Sequence, residues 1–203
     1  MMTRRRFRLV RVLAGTIAVF MIATGLVSAE VNERDRAANE ISAAFVKELG
    51  AVMTREMVKG GPTEAIKVCI ELAPAIAGRL SREHGWRVTR VGTRVRNPLL
   101  GMPDVWEQRV LAEFAERSAK GEAFAGMAHS EVVTEPGGQY YRFMKPIAVQ
   151  PQCLLCHGPS DQIPDEIRTM LKKQYPFDAA TGYKAGELRG AVSIKQPLSN
   201  GNQ

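Results

Sequence analysis

Hydrophobic positions along the chain repeat in threes and fours through the first 85 residues and then mostly in twos. Ile41, Ala44, Phe45, Leu49, Val52 and Met53 trace one face of a helix over residues 30–59, interrupted only by Glu48. Gly60-Gly61-Pro62 stops that helix, and Thr63-Glu64 opens a second. Its stripe is Ile66, Cys69, Ile70, Ala73, Ile76, Ala77 and Leu80, with Cys69 inside it. Pro74 has no N–H to offer the carbonyl of Ile70 and its ring crowds that oxygen, which predicts a kink beside Cys69. His84-Gly85 closes the helix.

Residues 86–95 are rich in β-branched side chains and predict a strand. Asn97-Pro98 and Gly101-Met102-Pro103 read as a loop, and Asp104 is a suitable cap for a helix over 105–120. Residues 131–135 and 139–149 predict two strands joined at Pro136-Gly137-Gly138 as a hairpin. A short helix over 164–174 and a last strand over 188–195 complete the pattern. Helices come first and the strands are joined by a hairpin, so the fold class is α+β with an antiparallel sheet.

The formal charge of +7 is unevenly placed. Arg4, Arg5, Arg6, Arg8 and Arg11 precede every acidic residue, and removing those five charges leaves +2 on residues 30–203. The basic balance is therefore no argument for nucleic-acid binding. Those arginines instead introduce an uncharged run from Val12 to Val27, followed by the small residues Ser28-Ala29. This is the pattern of an export signal over residues 1–29, with residues 30–203 as the folded domain in the periplasm. A run of 16 residues is also near the length of a membrane span, so an uncleaved N-terminal anchor stays open as the one route to membrane attachment. Arg4-Arg5 resembles a twin-arginine signal; the general secretory route suits the cofactor argued next, whose attachment needs an unfolded chain outside the membrane.

Cys153-Leu154-Leu155-Cys156-His157 carries the most chemistry. Two thiols three residues apart can add to the two vinyl groups of one haem, placing the adjacent histidine under the iron as a proximal ligand. A redox Cys-x-x-Cys wants a strand–helix setting, a structural zinc site wants a second ligand pair, and a disulfide leaves His157 unexplained. One covalent haem c is the expected cofactor.

Two thioethers leave Cys69 over in an oxidising compartment. It is either a small buried hydrophobe on a helix stripe or an axial thiolate facing the haem. Met53, Met57, Met102, Met127, Met144, Met170, His84 and His129 compete for that position. Arg79, Arg82, Arg87, Arg90, Arg94 and Arg96 form either a solvated face or a source of partners for the haem propionates, with Arg96, which leads into the Asn97-Pro98 loop, the preferred partner. Tyr140, Tyr141 and Phe143 are expected around the haem or in the core, Tyr141 and Phe143 on the same side of their strand.

The order of these parts resembles a bacterial family of single-haem c-type domains with a PAS-like fold, long catalogued as a domain of unknown function. Its members stand alone or precede histidine kinases and other signalling outputs. The resemblance spans residues 36–197 and is carried by Cys69 in its helix, the Arg96-Asn97-Pro98 loop with Pro103-Asp104, Tyr141 to Pro146 leading into the Cys153–His157 motif, and the terminal Gly182-Tyr183 and Gly186 to Gly190. It implies a PAS-like sheet behind long N-terminal helices, His157 as proximal ligand and Cys69 as distal ligand. The expected role is redox or small-gas sensing by exchange of the distal ligand, with a diatomic gas as ligand and a separate redox or signalling protein as partner. The alternative is a small electron-transfer cytochrome with fixed axial ligands. An enzyme is not expected, since nothing supplies a distal acid–base pair. The apolar stripe of the first helix allows a homodimer or simply covers the sheet.

Overall fold

The computed structural model describes the backbone of residues 7–198, with side chains from residue 31. The expected export signal over 1–29 lies outside the described residues, apart from the helical backbone that begins at Phe7. Among the described residues no helix is long and apolar enough to cross a membrane. The chain divides into two compact units, residues 1–38 and 39–203, and the second holds the sheet and every candidate residue.

Helix α1 (Phe7–Lys67) is interrupted where the glycines predict, by non-helical backbone at Gly60 and at Gly61, whose φ of 68° only glycine adopts readily. Beyond it, Val68–Leu72 is a π turn. Pro74 provides the reason: it cannot donate to Ile70, and the N–H of Ala73 reaches back five residues to Val68. The expected kink is therefore a one-residue bulge, and Cys69 stands in it. Helix α2 (Ala73–His84) follows and ends at Gly85 in the left-handed conformation.

Strand β1 (Arg87–Gly92) leads through a one-turn helix α3 (Pro98–Gly101), where a loop is expected, to α4 (Val105–Ala119). Asn97 caps α3 through Leu99, and Asp104 caps α4 in a reciprocal box with Glu107. Strands β2 (His129–Glu135) and β3 (Gly138–Ala148) form the expected hairpin. The one-turn α5 (Leu154–His157), α6 (Asp165–Gln174) and β4 (Leu188–Pro197) follow.

The sheet is four-stranded and antiparallel in the order β1-β4-β3-β2, so the last strand of the chain lies between the first and third. On one face α4 packs Val110, Leu111 and Phe114 against Val91, Met144 and Ala191. The pleat sends Phe143, Val192 and Ile194, all buried, to the other face. On α4's side Arg142 is buried with Asp104, Glu107 and Glu135 around its guanidinium, and Glu107 also accepts from Ser193 at 2.6 Å. β1 and β4 approach so closely at Gly190 that a Cβ there would lie 2.0 Å from the Val91 carbonyl oxygen.

Candidate functional site

A cavity of about 240 Å³ opens where α2 and the π turn face β1. Cys69, Ala73, Ala77 and Gly78 line it from the π turn and α2, all with small side chains. His157, Arg96 and Arg189 line it from the other elements. One cavity thus contains the proximal-type histidine of the Cys-x-x-Cys-His motif and the unpaired cysteine of the helix stripe. Cys69, Cys153 and Cys156 are all free thiols and all half-buried.

His157 ends α5 and its ring orientation is set by one bond. Nδ1 lies 2.6 Å from the carbonyl oxygen of Ala180. A carbonyl only accepts, so Nδ1 carries the proton and Nε2 keeps the lone pair. Burial, with the charges of Arg96 and Arg189 adding to it, holds the His157 pKa down to about 2, so the imidazole is neutral. A neutral imidazole with its second nitrogen anchored to a carbonyl is the form that ligates metals. Burial also pushes the Cys156 thiol up to about 11, with Arg96 opposing the shift.

The strand-like segment 178–183 straps the motif in place. Tyr183 N donates to the His157 carbonyl at 2.9 Å, and Gly182 N to that of Gly158 at 2.8 Å. Tyr183 is buried, stands edge-on to His157 with ring centroids 6.2 Å apart, and receives the Arg94 N–H at its hydroxyl. Asp178 accepts from Ala180 N at 2.7 Å through one oxygen and from Arg96 Nε at 2.9 Å through the other. Arg96 also donates to the carbonyl of Cys156. Arg96 therefore lines the cavity but spends Nε and one terminal nitrogen on the acid and the backbone that hold the motif.

Tyr141 stands apart from this cavity. It is buried on the sheet beside Trp86, ring centroids 6.4 Å apart, and is not among the cavity's lining residues. Alternation places it correctly beside Phe143 in the core, but its position at the Gln196 end of β3 takes it away from the motif. The rival distal residues are also elsewhere. Met127 and Met144 are buried against α4, Met102 and His84 are exposed, His129 pairs with Glu113 at 2.8 Å, and Met170 packs on the α6 cluster. Met53 and Met57 are half-buried on α1 outside the lining.

Sequence reasoning missed Asp178, Ala180 and Arg189. Ala180 acts through its backbone carbonyl, which no side-chain pattern reveals. Asp178 is a single acid in a turn, and only its pairing with Arg96, 82 residues earlier, singles it out.

An antiparallel sheet, with His157 of the Cys-x-x-Cys-His turn and Cys69 lining one cavity and Cys153 and Cys156 outside that lining, defines an α+β domain that brings an imidazole and a thiol together. Residues 17–197 match the family described as Tll0287-like, and the chain belongs to that family. Among solved structures it is similar to the cyanobacterial heme-protein Tll0287, at 22% identity and a TM-score of 0.58, over 77% of this chain and 92% of that one, which shows a shared fold. No curated protein matches the chain.

Proposed function

We propose that this protein is an exported sensor that carries one covalent haem c and reports redox state or a diatomic gas by releasing its distal ligand. Cys153 and Cys156 would hold the haem as thioethers, His157 would ligate the iron through Nε2, and Cys69 would supply a second ligand from the π turn. The residues fit such a group: two free thiols at the attachment spacing, an imidazole whose only unbonded nitrogen is the ligating one, and a third thiol lining the same cavity as that imidazole. The haem named for the Tll0287 structure supports the same cofactor here. The observation that carries the sensing role is that Cys69, alone among the candidate distal residues, lines the cavity with His157.

When bound, the haem supplies a one-electron iron couple. Cys69 as a thiolate donates charge and favours the ferric state. Cys69 would hold the iron through Sγ as a thiolate, and once released its Sγ would carry a proton taken from solvent. The π turn gives that residue somewhere to go: moving the bulge by one position turns the intervening side chains by about 100°, the angle per residue of a helix with 3.6 residues per turn. The change then passes through α2 to a separate partner. The protein catalyses no reaction of its own in this scheme.

The test is an absorption spectrum of the protein matured with haem-attachment machinery, taken ferric, dithionite-reduced and reduced under CO. A thiolate-type ferric spectrum that changes class on reduction and then takes up CO is expected. A His/Met or His/His spectrum in both states, without CO uptake, would assign the protein to fixed-ligand electron transfer. Protein without covalent haem would overturn the proposal.

A further inference from the structure

Three arginines line the cavity with His157 and Cys69: Arg90 from β1, Arg96 from the following loop and Arg189 from β4. Only Arg96 is neutralised, by Asp178 at 2.9 Å. Among the described residues the Arg90 side chain makes no hydrogen bond or ion pair. Arg189 donates to the Arg94 carbonyl at 3.1 Å and lies over the Tyr183 ring, its carbon 5.3 Å from the centroid, without an acidic partner. Their neighbour Arg94, by contrast, pairs with Glu187 at 3.6 Å.

Guanidinium stays charged at any ordinary pH. Two half-buried cations that share a cavity without a counter-ion repel one another and lose hydration, so the site favours an anionic guest. The fork of each guanidinium matches a carboxylate, and the number of unmatched cations matches a dicarboxylate. Arg96 is poorly placed to serve, because Asp178 and the Cys156 carbonyl already hold it.

We propose that Arg90 and Arg189 bind the two propionate carboxylates of the haem, while Arg96 acts as the clamp on its attachment motif. This rests on the haem proposed above. The pair would orient the macrocycle before the thioethers form, and would keep two negative charges from lying unpaired against the cavity wall.

The test uses the full chain as apoprotein, titrated with iron protoporphyrin and with its dimethyl ester, which lacks the carboxylate charges. The wild-type protein should prefer the free acid by at least about tenfold. The preference should disappear in Arg90→Gln/Arg189→Gln and survive in Arg90→Lys/Arg189→Lys, which keeps the charge. It should also survive in Arg87→Gln, which removes a charge from an exposed position on the same strand. Equal binding of acid and ester by the wild type, or a preference retained in the double glutamine variant, would overturn the propionate assignment and leave the haem itself standing. Failure to bind either porphyrin, together with no covalent haem after maturation, would overturn both.

Discussion

His157 and Ala180 are joined by a hydrogen bond of 2.6 Å from the ring's Nδ1–H to a backbone carbonyl 23 residues further on. Ala180 is in turn held by Asp178, and Asp178 by Arg96, so the tautomer of the histidine depends on an ion pair that never touches it. Anchoring the outer nitrogen of a ligating histidine raises its basicity and fixes its plane. Four predictions follow from this relationship and from the elements around it.

Removing Asp178 should cost more than removing an ordinary surface acid. Its ion pair with Arg96 is buried on both sides, at 10% and 8% exposure. Asp178→Ala strands that guanidinium and frees Ala180, a loss of about 3–5 kcal/mol in chemical denaturation. Asp178→Asn keeps an oxygen for the Ala180 N–H and should lose less. If the alanine variant unfolds within about 1 kcal/mol of the wild type, the clamp is not structural.

Cys69→Ala should change the ferric absorption spectrum of the matured protein while leaving its thermal unfolding nearly unmoved. The side chain is half-buried and makes no hydrogen bond among the described residues, so the packing loss is about 1 kcal/mol or less. An unchanged ferric spectrum would return Cys69 to the role of a small hydrophobe.

Pro74→Ala restores an N–H that can donate to Ile70, and with it a reason for the π turn to close into α geometry. The expected result is a ferric spectrum resembling that of Cys69→Ala, because Cys69 rotates away from the cavity, accompanied by equal or greater stability. A wild-type spectrum in this variant would show that the bulge is held by packing and not by the proline.

Asp104→Ala should destabilise the domain by about 1–2 kcal/mol through loss of the α4 cap. Its carboxylate accepts from Glu107 N at 2.9 Å and pairs with the buried Arg142 at 2.7 Å. Burial works to raise its pKa, but the Arg142 hydrogen bond and the Glu107 N–H together hold it below the usual aspartate value. A carboxyl lowered on folding stabilises the protein above its unfolded pKa of about 4 and loses that stabilisation as pH falls through the lower folded value. Wild-type stability should therefore drop below about pH 4, and Asp104→Asn should show a shallower drop over the same window. Parallel acid-unfolding curves for the two proteins would remove Asp104 from the pH dependence.

Much of the molecule was legible from neighbouring residues. Gly60-Gly61 breaks α1, Gly85 closes α2, Asp104 starts α4, and Pro136-Gly137 turns the hairpin, each because the steric and hydrogen-bonding rules involved act within four residues. The five-residue Cys153–His157 motif belongs to the same class, since its meaning lies in spacing along one turn. Pro74 is instructive: its chemistry announced a disturbance beside Cys69, but whether the helix would kink or widen depended on packing around it.

What sequence alone determined was therefore the set of elements, their breaks and caps, and the residues with chemistry to offer. Tertiary structure decided which of those residues meet. β4 lies between β1 and β3, which brings Arg189 and Arg90, 99 positions apart, to the lining of one cavity; segment 178–183 folds back on the motif, which gives Arg96 a partner and His157 its acceptor; and the end of β3 that carries Tyr141 is turned toward Trp86 instead of the cavity. Local rules cannot supply these pairings, because the free energy that selects them comes from burying whole faces and matching buried polar groups across the fold.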